Sequence, residues 1–368
     1  NSIDIYGNQN EYGGTTDGTK VRFDKVLPAL NQISVSSSNI WNQSWAKVGD
    51  TIQYNVNASE DLLNISLLVQ GNNTTITELS LIEYTFQYIF TNDNSDGQVN
   101  FEVIFSDSAG NSGDIVTETT NSSYTIFDKV PPSDFTVQDV ITVGENSIAN
   151  AWNSTNSAIN INIPVSDDES LDSGRVQIIA KVANNDFENL DSYHFFQSSD
   201  LNNSKIVSVS ESLVESISGF SENDTITISA IIYDVPGNMT IGSESNTKLV
   251  INQSIPIIIN SNIESDFSDS SLAGVDNIIT LIFETDTEII IPSVAISGQE
   301  AIIVNLGDNE WQASYTMQSS DEDGIIPFVI DFMDVYGNPN SVINSTEDGT
   351  SVTFDNSKPS LSFVNIKS

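Results

Sequence analysis

The stretch that most limits how this chain can fold is FEVIFSDSAGN, residues 101–111, because its closing pentad D-x-x-G-N occurs four times, at residues 4–8, 107–111, 234–238 and 334–338. Before the last three copies, the residues two, four, six and eight places ahead of the Asp are all apolar: Phe105, Val103, Phe101 and Val99; Ile232, Ala230, Ile228 and Ile226; Phe332, Ile330, Phe328 and Ile326. A strict period of two puts those side chains on one face of a strand, and that face in a core. The Asp can turn the chain with its own carboxylate, and Gly followed by Asn accepts the positive φ of a tight hairpin. Each copy is therefore expected to be a strand running into a turn.

A second mark follows at nearly constant distance. Asp24, Asp128, Asn252 and Asp355 lie 20, 21, 18 and 21 residues beyond the pentad Asp residues, each after an apolar residue and shortly before Pro28, Pro131, Pro256 or Pro359. That spacing fits a last strand ending in a proline-marked junction. Pentads stand 103, 127 and 100 residues apart, a domain-sized period and too long for a solenoid unit. Three complete domains are expected, at 29–131, 132–255 and 256–358. Residues 1–28 read as the closing hairpin of a preceding domain and 359–368 as the first strand of a following one or a tail, so the chain reads as a segment of a longer polypeptide.

Within the first domain Ile52, Tyr54, Val56 and Ala58 share one strand face, and Tyr84, Phe86, Tyr88 and Phe90 alternate along another. Trp311, Ala313, Tyr315 and Met317 repeat the latter set in the third domain at a constant offset of 227, which also aligns the pentads. Short strands with turn signals every 8 to 12 residues read as a β-sandwich. The second domain is longer, with its extra length expected in an acidic turn at 167–172 and in residues 184–204. That insertion, rich in Phe and Tyr, is read as an ordered loop packed on its own domain, with a contact-making insertion as the alternative. Residues 213–217 carry the one modest helical signal. The four tryptophans, Trp41, Trp45, Trp152 and Trp311, are expected in core positions.

The formal charge of −40, from 51 acidic against 11 basic residues, decides which partners are excluded. Residues 249–357 hold eighteen acidic residues and no Lys or Arg. Such a field repels phosphate backbones and attracts small cations, so nucleic-acid binding is not expected. No apolar run approaches the ~18 residues of a membrane-spanning helix, so direct membrane insertion is not expected either. Cysteine is absent, so each domain must stand on its own core, which ~100 residues can supply. N-x-S/T acceptor sites at Asn42, Asn57, Asn64, Asn121, Asn153, Asn223, Asn238 and Asn344 permit N-glycosylation.

Three landmarks combined, VGDTIQYNVNASED at 48–61, FSDSAGN at 105–111 and IFDKVPP at 126–132, resemble the immunoglobulin-like repeats of long prokaryotic surface proteins. The resemblance runs through the whole chain by its repeated period, although the second domain lacks the G-D-T landmark. It implies an all-β chain of tandem immunoglobulin-like β-sandwich domains at the cell surface. Most like it are archaeal surface-layer (S-layer) proteins, which implies a secreted, structural lattice component: a glycoprotein that self-assembles into a porous, negatively charged sheet and enriches cations. The alternative is a stalk or ligand-binding segment of a large adhesin, as fold alone does not choose a function.

Catalysis is not expected. His194 is the single histidine, and no nucleophile motif accompanies it. Calcium is the better chemical hypothesis, because hard cations take clustered carboxylate, amide and carbonyl oxygens. Loops 92–97 and 321–324 offer them through Asp93, Asp96, Asp321 and Asp323. The junctions offer a second set, with Asp128 joined by Glu60 and Asp61 or by Asp107. Partners are expected to be further copies of the chain, adjacent domains and small cations.

Overall fold

The computed structural model describes residues 2–10, 13–15, 17–21 and 23–360. Its strands gather into three β-sandwiches, each closed around its own hydrophobic cluster. The clusters draw on residues within 33–127, 137–251 and 258–354. The pattern legible in the repeat is the pattern of burial: Val103, Phe105 and Asp107 point inward from Phe101–Asp107, and Ile52, Tyr54, Val56 and Ala58 from Thr51–Ala58.

In the first sandwich a four-stranded antiparallel sheet runs Leu30–Ser37, Thr51–Ala58, Glu83–Ile89, Thr75–Ser80. It faces a sheet in which Phe101–Asp107 pairs Leu62–Val69. The third sandwich repeats this order with Ile258–Ser265, Ile278–Thr285, Glu310–Thr316 and Ile302–Gly307. In the second, Arg175–Val182 and Thr225–Tyr233 form the centre of the larger sheet. Each sandwich ends on a short strand, Ile126–Phe127, Leu249–Ile251 or Thr353–Phe354, that lies parallel to an early one, Trp45–Ala46, Ala151–Trp152 or Leu272–Ala273. Parallel closure brings the chain out at the end of the domain opposite its entry, where the next domain begins. Such antiparallel sandwiches with a parallel closing strand are immunoglobulin-like.

The helical signal materialises as the single turn Glu211–Val214. Ahead of the first sandwich, Ser2–Ile3 and Gln9–Asn10 pair across the first pentad. The strand expected at 359–368 falls, from residue 361 onward, outside the described residues. No helix among the described residues is long and apolar enough to cross a membrane.

Candidate functional site at the domain junctions

The pentad is a turn that its first side chain holds shut. In the copy at 107–111, Asp107 Oδ1 accepts from the backbone N–H of Ala109 and Asn111 at 2.9 and 2.8 Å, and Oδ2 accepts from Asn111 Nδ2 at 2.8 Å. The hydrogen bond from the Asn111 side chain, with those from the backbone, holds the Asp107 carboxyl below its ordinary range although it is buried. The same bonds from the Asn recur at Asp4, Asp234 and Asp334. The pentad glycines have φ of 85°, 92°, 95° and 91°, a region where a Cβ is strained. The asparagines stay out of it.

What the turn does is visible one domain earlier in the chain. Asn111 Nδ2 also reaches the carbonyl of Val26 at 3.3 Å, Asn238 Nδ2 that of Asp128 at 3.1 Å, and Asn338 Nδ2 that of Asn252 at 3.0 Å. The asparagines of the last three pentads thus each tie their own domain to the linker that enters it. At the last two junctions the preceding domain answers. Asn39 Nδ2 donates to Pro236 O at 2.7 Å, Asn153 Nδ2 to Tyr336 O at 2.7 Å, and the Ser154 N–H to Asn338 Oδ1 at 2.8 Å. Gly337 packs so closely there that a Cβ would lie 2.6 Å from Asn146 O.

Between the first and second sandwiches a further contact forms. Arg175, 3% exposed, stacks its guanidinium 3.6 Å from the ring of Trp41 in the first domain, with Tyr233 and Tyr193 at 4.6 and 5.1 Å. Trp41 and Tyr193 also meet edge to face at 5.4 Å. Tyr193 belongs to the insertion, which therefore braces the neighbouring domain as well as its own. Trp41 is exposed at this seam and Trp45 is half-buried, corrections to their expected core positions; Trp152 and Trp311 are buried.

Carboxylates collect at the same places. Asp24, Glu60 and Asp107 bring oxygens within 4.8 Å of one another at the first junction. Burial and the neighbouring Asp107 and Asp24 charges push the Glu60 carboxyl up. Asp128 lies one junction further on, where burial, together with Asp168 and Asp96, pushes it up in turn. Asp234, fully buried beside it, is raised to about 7, burial outweighing the hydrogen bonds it accepts. Glu60 and Asp107 thus meet Asp24, whereas Asp128 meets carboxylates of the second domain.

The two loops read as cation loops serve the exit linkers. Lys129 Nζ donates to Asn92 O at 2.8 Å and Asn94 O at 2.7 Å, and Asp96 Oδ1 accepts the Lys129 N–H at 2.8 Å. The carbonyls of that loop hold the chain's own ammonium, and Asp93 stands exposed beside them. Asn356, 227 residues on, donates its N–H to Asp323 and its amide to Ser319 O at 2.8 Å. Asp321 accepts from the Gln318 N–H and the Tyr315 hydroxyl.

Two of the sequons need correction. Asn153 is 0% exposed with its Nδ2 committed to Asn146 O and Tyr336 O, and Asn238 Nδ2 is committed to Asp128 and Asp234. Neither amide is available to a glycan in the folded chain. Asn42, Asn64, Asn121, Asn223 and Asn344 are exposed, and Asn57 half-buried. His194 Nε2 lies 2.8 Å from Asp191 Oδ2.

The chain is thus a tandem array of immunoglobulin-like β-sandwiches with hydrogen-bonded junctions. No family model matches it, and no curated protein does. Among solved structures it is similar to part of a 1.5-MDa bacterial ice-binding adhesin, at 16% identity over 88% of this chain and 98% of that one, with a TM-score of 0.34. A Ca2+-stabilized adhesin of an Antarctic bacterium aligns at 15% identity over 88% and 74%, with a TM-score of 0.43. The I9–I11 tandem of titin aligns at 8% over 84% and 94%, with a TM-score of 0.28.

Proposed function

We propose that this chain is a structural spacer at the cell surface, a stalk segment of an adhesin-like protein, in which the pentad junctions fix each domain on the one before it. The observation that carries this reading is the repeated bond from the pentad Asn to the entering linker, at Val26, Asp128 and Asn252. The side-chain amide closes its own turn on the pentad Asp, and beyond that local bond it reaches out to the entering linker each time. Small-angle scattering of the full chain tests it. A narrow distribution of maximum dimensions is expected, broadening when Asn238 and Asn338 are both changed to Ala. A broad distribution for the unaltered chain refutes the reading.

An S-layer lattice would use the same axial series and add lateral contacts, with the −40 charge enriching small cations in its pores. Within either use, calcium suits the first junction. Three carboxylates within 4.8 Å supply part of the roughly six to eight oxygens such an ion takes, and backbone carbonyls or water supply the rest. Calorimetric titration after chelation tests this: binding that Glu60→Gln abolishes supports it, and no heat in the micromolar range removes it.

A further inference from the structure

At the last two junctions the two domains hold one and the same peptide unit from opposite sides. The carbonyl of Asp128 accepts from Asn238 of the second sandwich, and the N–H of that peptide unit, on Lys129, donates to Asp96 of the first at 2.8 Å. One junction further on, the carbonyl of Asn252 accepts from Asn338 of the third sandwich. The Gln253 N–H of that unit donates to the two oxygens of Glu222 in the second, at 3.1 and 3.0 Å. A trans peptide is one rigid plane with its N–H and C=O on opposite edges, so neither bond can move without the other. The plane is also held from behind, because the N–H groups of Asp128 and Asn252 themselves donate to Ala46 O and Trp152 O, both at 2.9 Å. With the N–H on either side of it tied to the preceding sandwich, the carbonyl is left one direction in which to point.

The third sandwich shows which domain does the aiming. There the Asp355 N–H donates to Ala273 O at 3.0 Å and the Asn356 N–H to Asp323 Oδ1 at 2.6 Å. The plane is held in the same way although the Asp355 carbonyl has no donor among the described residues. The first junction shows the converse. The Lys25 N–H has no carboxylate acceptor among the described residues, and Asn111 reaches the carbonyl of Val26, two residues beyond Asp24, at 3.3 Å. Asp96 and Asp323 are equivalent by the offset of 227, whereas Glu222 belongs to a different local sequence, SEND at 221–224. All three stand just ahead of the strands Gly97–Gln98, Thr225–Tyr233 and Gly324–Ile325. The task has been kept where the residue was not.

We infer that Asp96 and Glu222 are positioning residues of the interdomain junctions. Their hydrogen bonds go to the linker, and by fixing one N–H they aim the carbonyl behind it at the pentad Asn of the following domain. The two bonds on each plane lie in series from domain to domain, so losing either one forfeits the coupling of both. This inference rests on the reading of the junctions as the joints of a spacer.

Hydrogen exchange with mass spectrometry on the full chain tests it at Ser154, whose N–H crosses the second-to-third junction to Asn338. In Glu222→Ala, exchange at Ser154 should rise roughly fivefold, the worth of one hydrogen bond. The amides of the central strand Arg175–Val182 should keep their rates. Glu222→Gln, which retains an acceptor oxygen for the Gln253 N–H, should restore slow exchange at Ser154. Asp96→Ala, which loosens the plane one junction earlier, should leave Ser154 unaltered. An unchanged rate at Ser154 in Glu222→Ala overturns the inference, and so does a rise shared by Arg175–Val182, which would mark Glu222 as a support of its own domain. Scattering separates this from failure of the spacer reading: a broad distribution for the unaltered chain removes both, whereas a narrow one with Ser154 indifferent to Glu222→Ala removes this inference alone.

Discussion

Replacing Gly337 by Ala separates the work of a pentad turn from the work of the junction it closes. Gly337 and Gly110 have nearly equal φ, 91° and 92°, so both substitutions carry the same left-handed backbone cost, about 1–2 kcal/mol. Their surroundings differ. A Cβ at Gly110 meets nothing within 4 Å, whereas one at Gly337 would stand 2.6 Å from Asn146 O, 2.7 Å from Asn153 Nδ2 and 2.9 Å from Ile148 Cγ1, all in the preceding domain. Relief requires the two domains to part at that point. Parting breaks the bonds from Asn153 Nδ2 to Tyr336 O and from the Ser154 N–H to Asn338 Oδ1. At about 1 kcal/mol net for each, the junction loses about 2 kcal/mol beyond what Gly110→Ala costs, roughly a 30-fold shift in its opening equilibrium. Hydrogen exchange followed by mass spectrometry reads this at Ser154, whose amide donates across the junction. Exchange there should rise about 30-fold in Gly337→Ala and stay at its original rate in Gly110→Ala. Equal behaviour of the two variants at Ser154 would refute the argument that the pentad is an interdomain element.

Three further outcomes follow from the same geometry. Trp41→Ala removes the ring 3.6 Å from the Arg175 guanidinium and should weaken the first-to-second junction by about 1–2 kcal/mol; in a double-mutant cycle with Tyr193→Ala the losses should be non-additive, because both rings share Arg175, and strict additivity counts against the seam. Asp234, raised to about 7 when folded against an ordinary 3.8, takes up its proton in the folded state before it does in the unfolded one, so stability should rise as pH falls from above 7 toward 4; a melting temperature measured across that range should lose this component in Asp234→Asn. Lys129→Met deletes the ammonium bound by Asn92 O and Asn94 O, leaving two carbonyls to find water; urea denaturation should show the first sandwich weaker by about 1–3 kcal/mol, and an unchanged midpoint would show that the loop stands without its lysine.

Sequence period carried the sandwich far and the junction only part of the way. Alternation along 101–107 and the 227-residue offset are local or repeated signals, and burial reproduces them strand by strand because side-chain direction in a strand is fixed by the pleat. The Arg175 seam had no such signal. Trp41, Arg175 and Tyr193 come from three distant parts of two domains, and a lone Arg among alternating residues announces nothing about the ring it will meet. Loop 92–97 shows a limit of a different kind. Its composition suits calcium, but which way Asn92 O and Asn94 O point is a property of the backbone, and they point at Lys129. Asn153 looked like a glycan acceptor because the N-x-S/T pattern is blind to burial; the one hint was its place directly after Trp152, a residue bound for the core.

The three linkers test how far charge is needed for the clamp. Asp24 and Asp128 precede the first two junctions, and Asn252 stands at the third. Were the clamp an ionic device, the exchange of Asp for Asn would weaken it. Instead Asn338 Nδ2 gains a second acceptor, Asn252 Oδ1 at 2.7 Å, while keeping Asn252 O at 3.0 Å. An amide oxygen accepts as a carboxylate does and adds no negative charge beside Asp334. The clamp is therefore a hydrogen-bond device on which carboxylates were superimposed at two junctions of three. Each superimposed carboxylate adds to local repulsion: after burial, which is the main cause of both shifts, Asp24 joins Asp107 in pushing Glu60 up, and Asp128 helps push Asp234 up. Repulsion kept at some junctions and removed at another makes sense where the solution outside, through its salt or divalent ions, sets how firmly those junctions close. On that argument Asn252→Asp should make the third junction salt-sensitive, with Ser154 exchange slowing as ionic strength rises, whereas in the unaltered chain it should be flat.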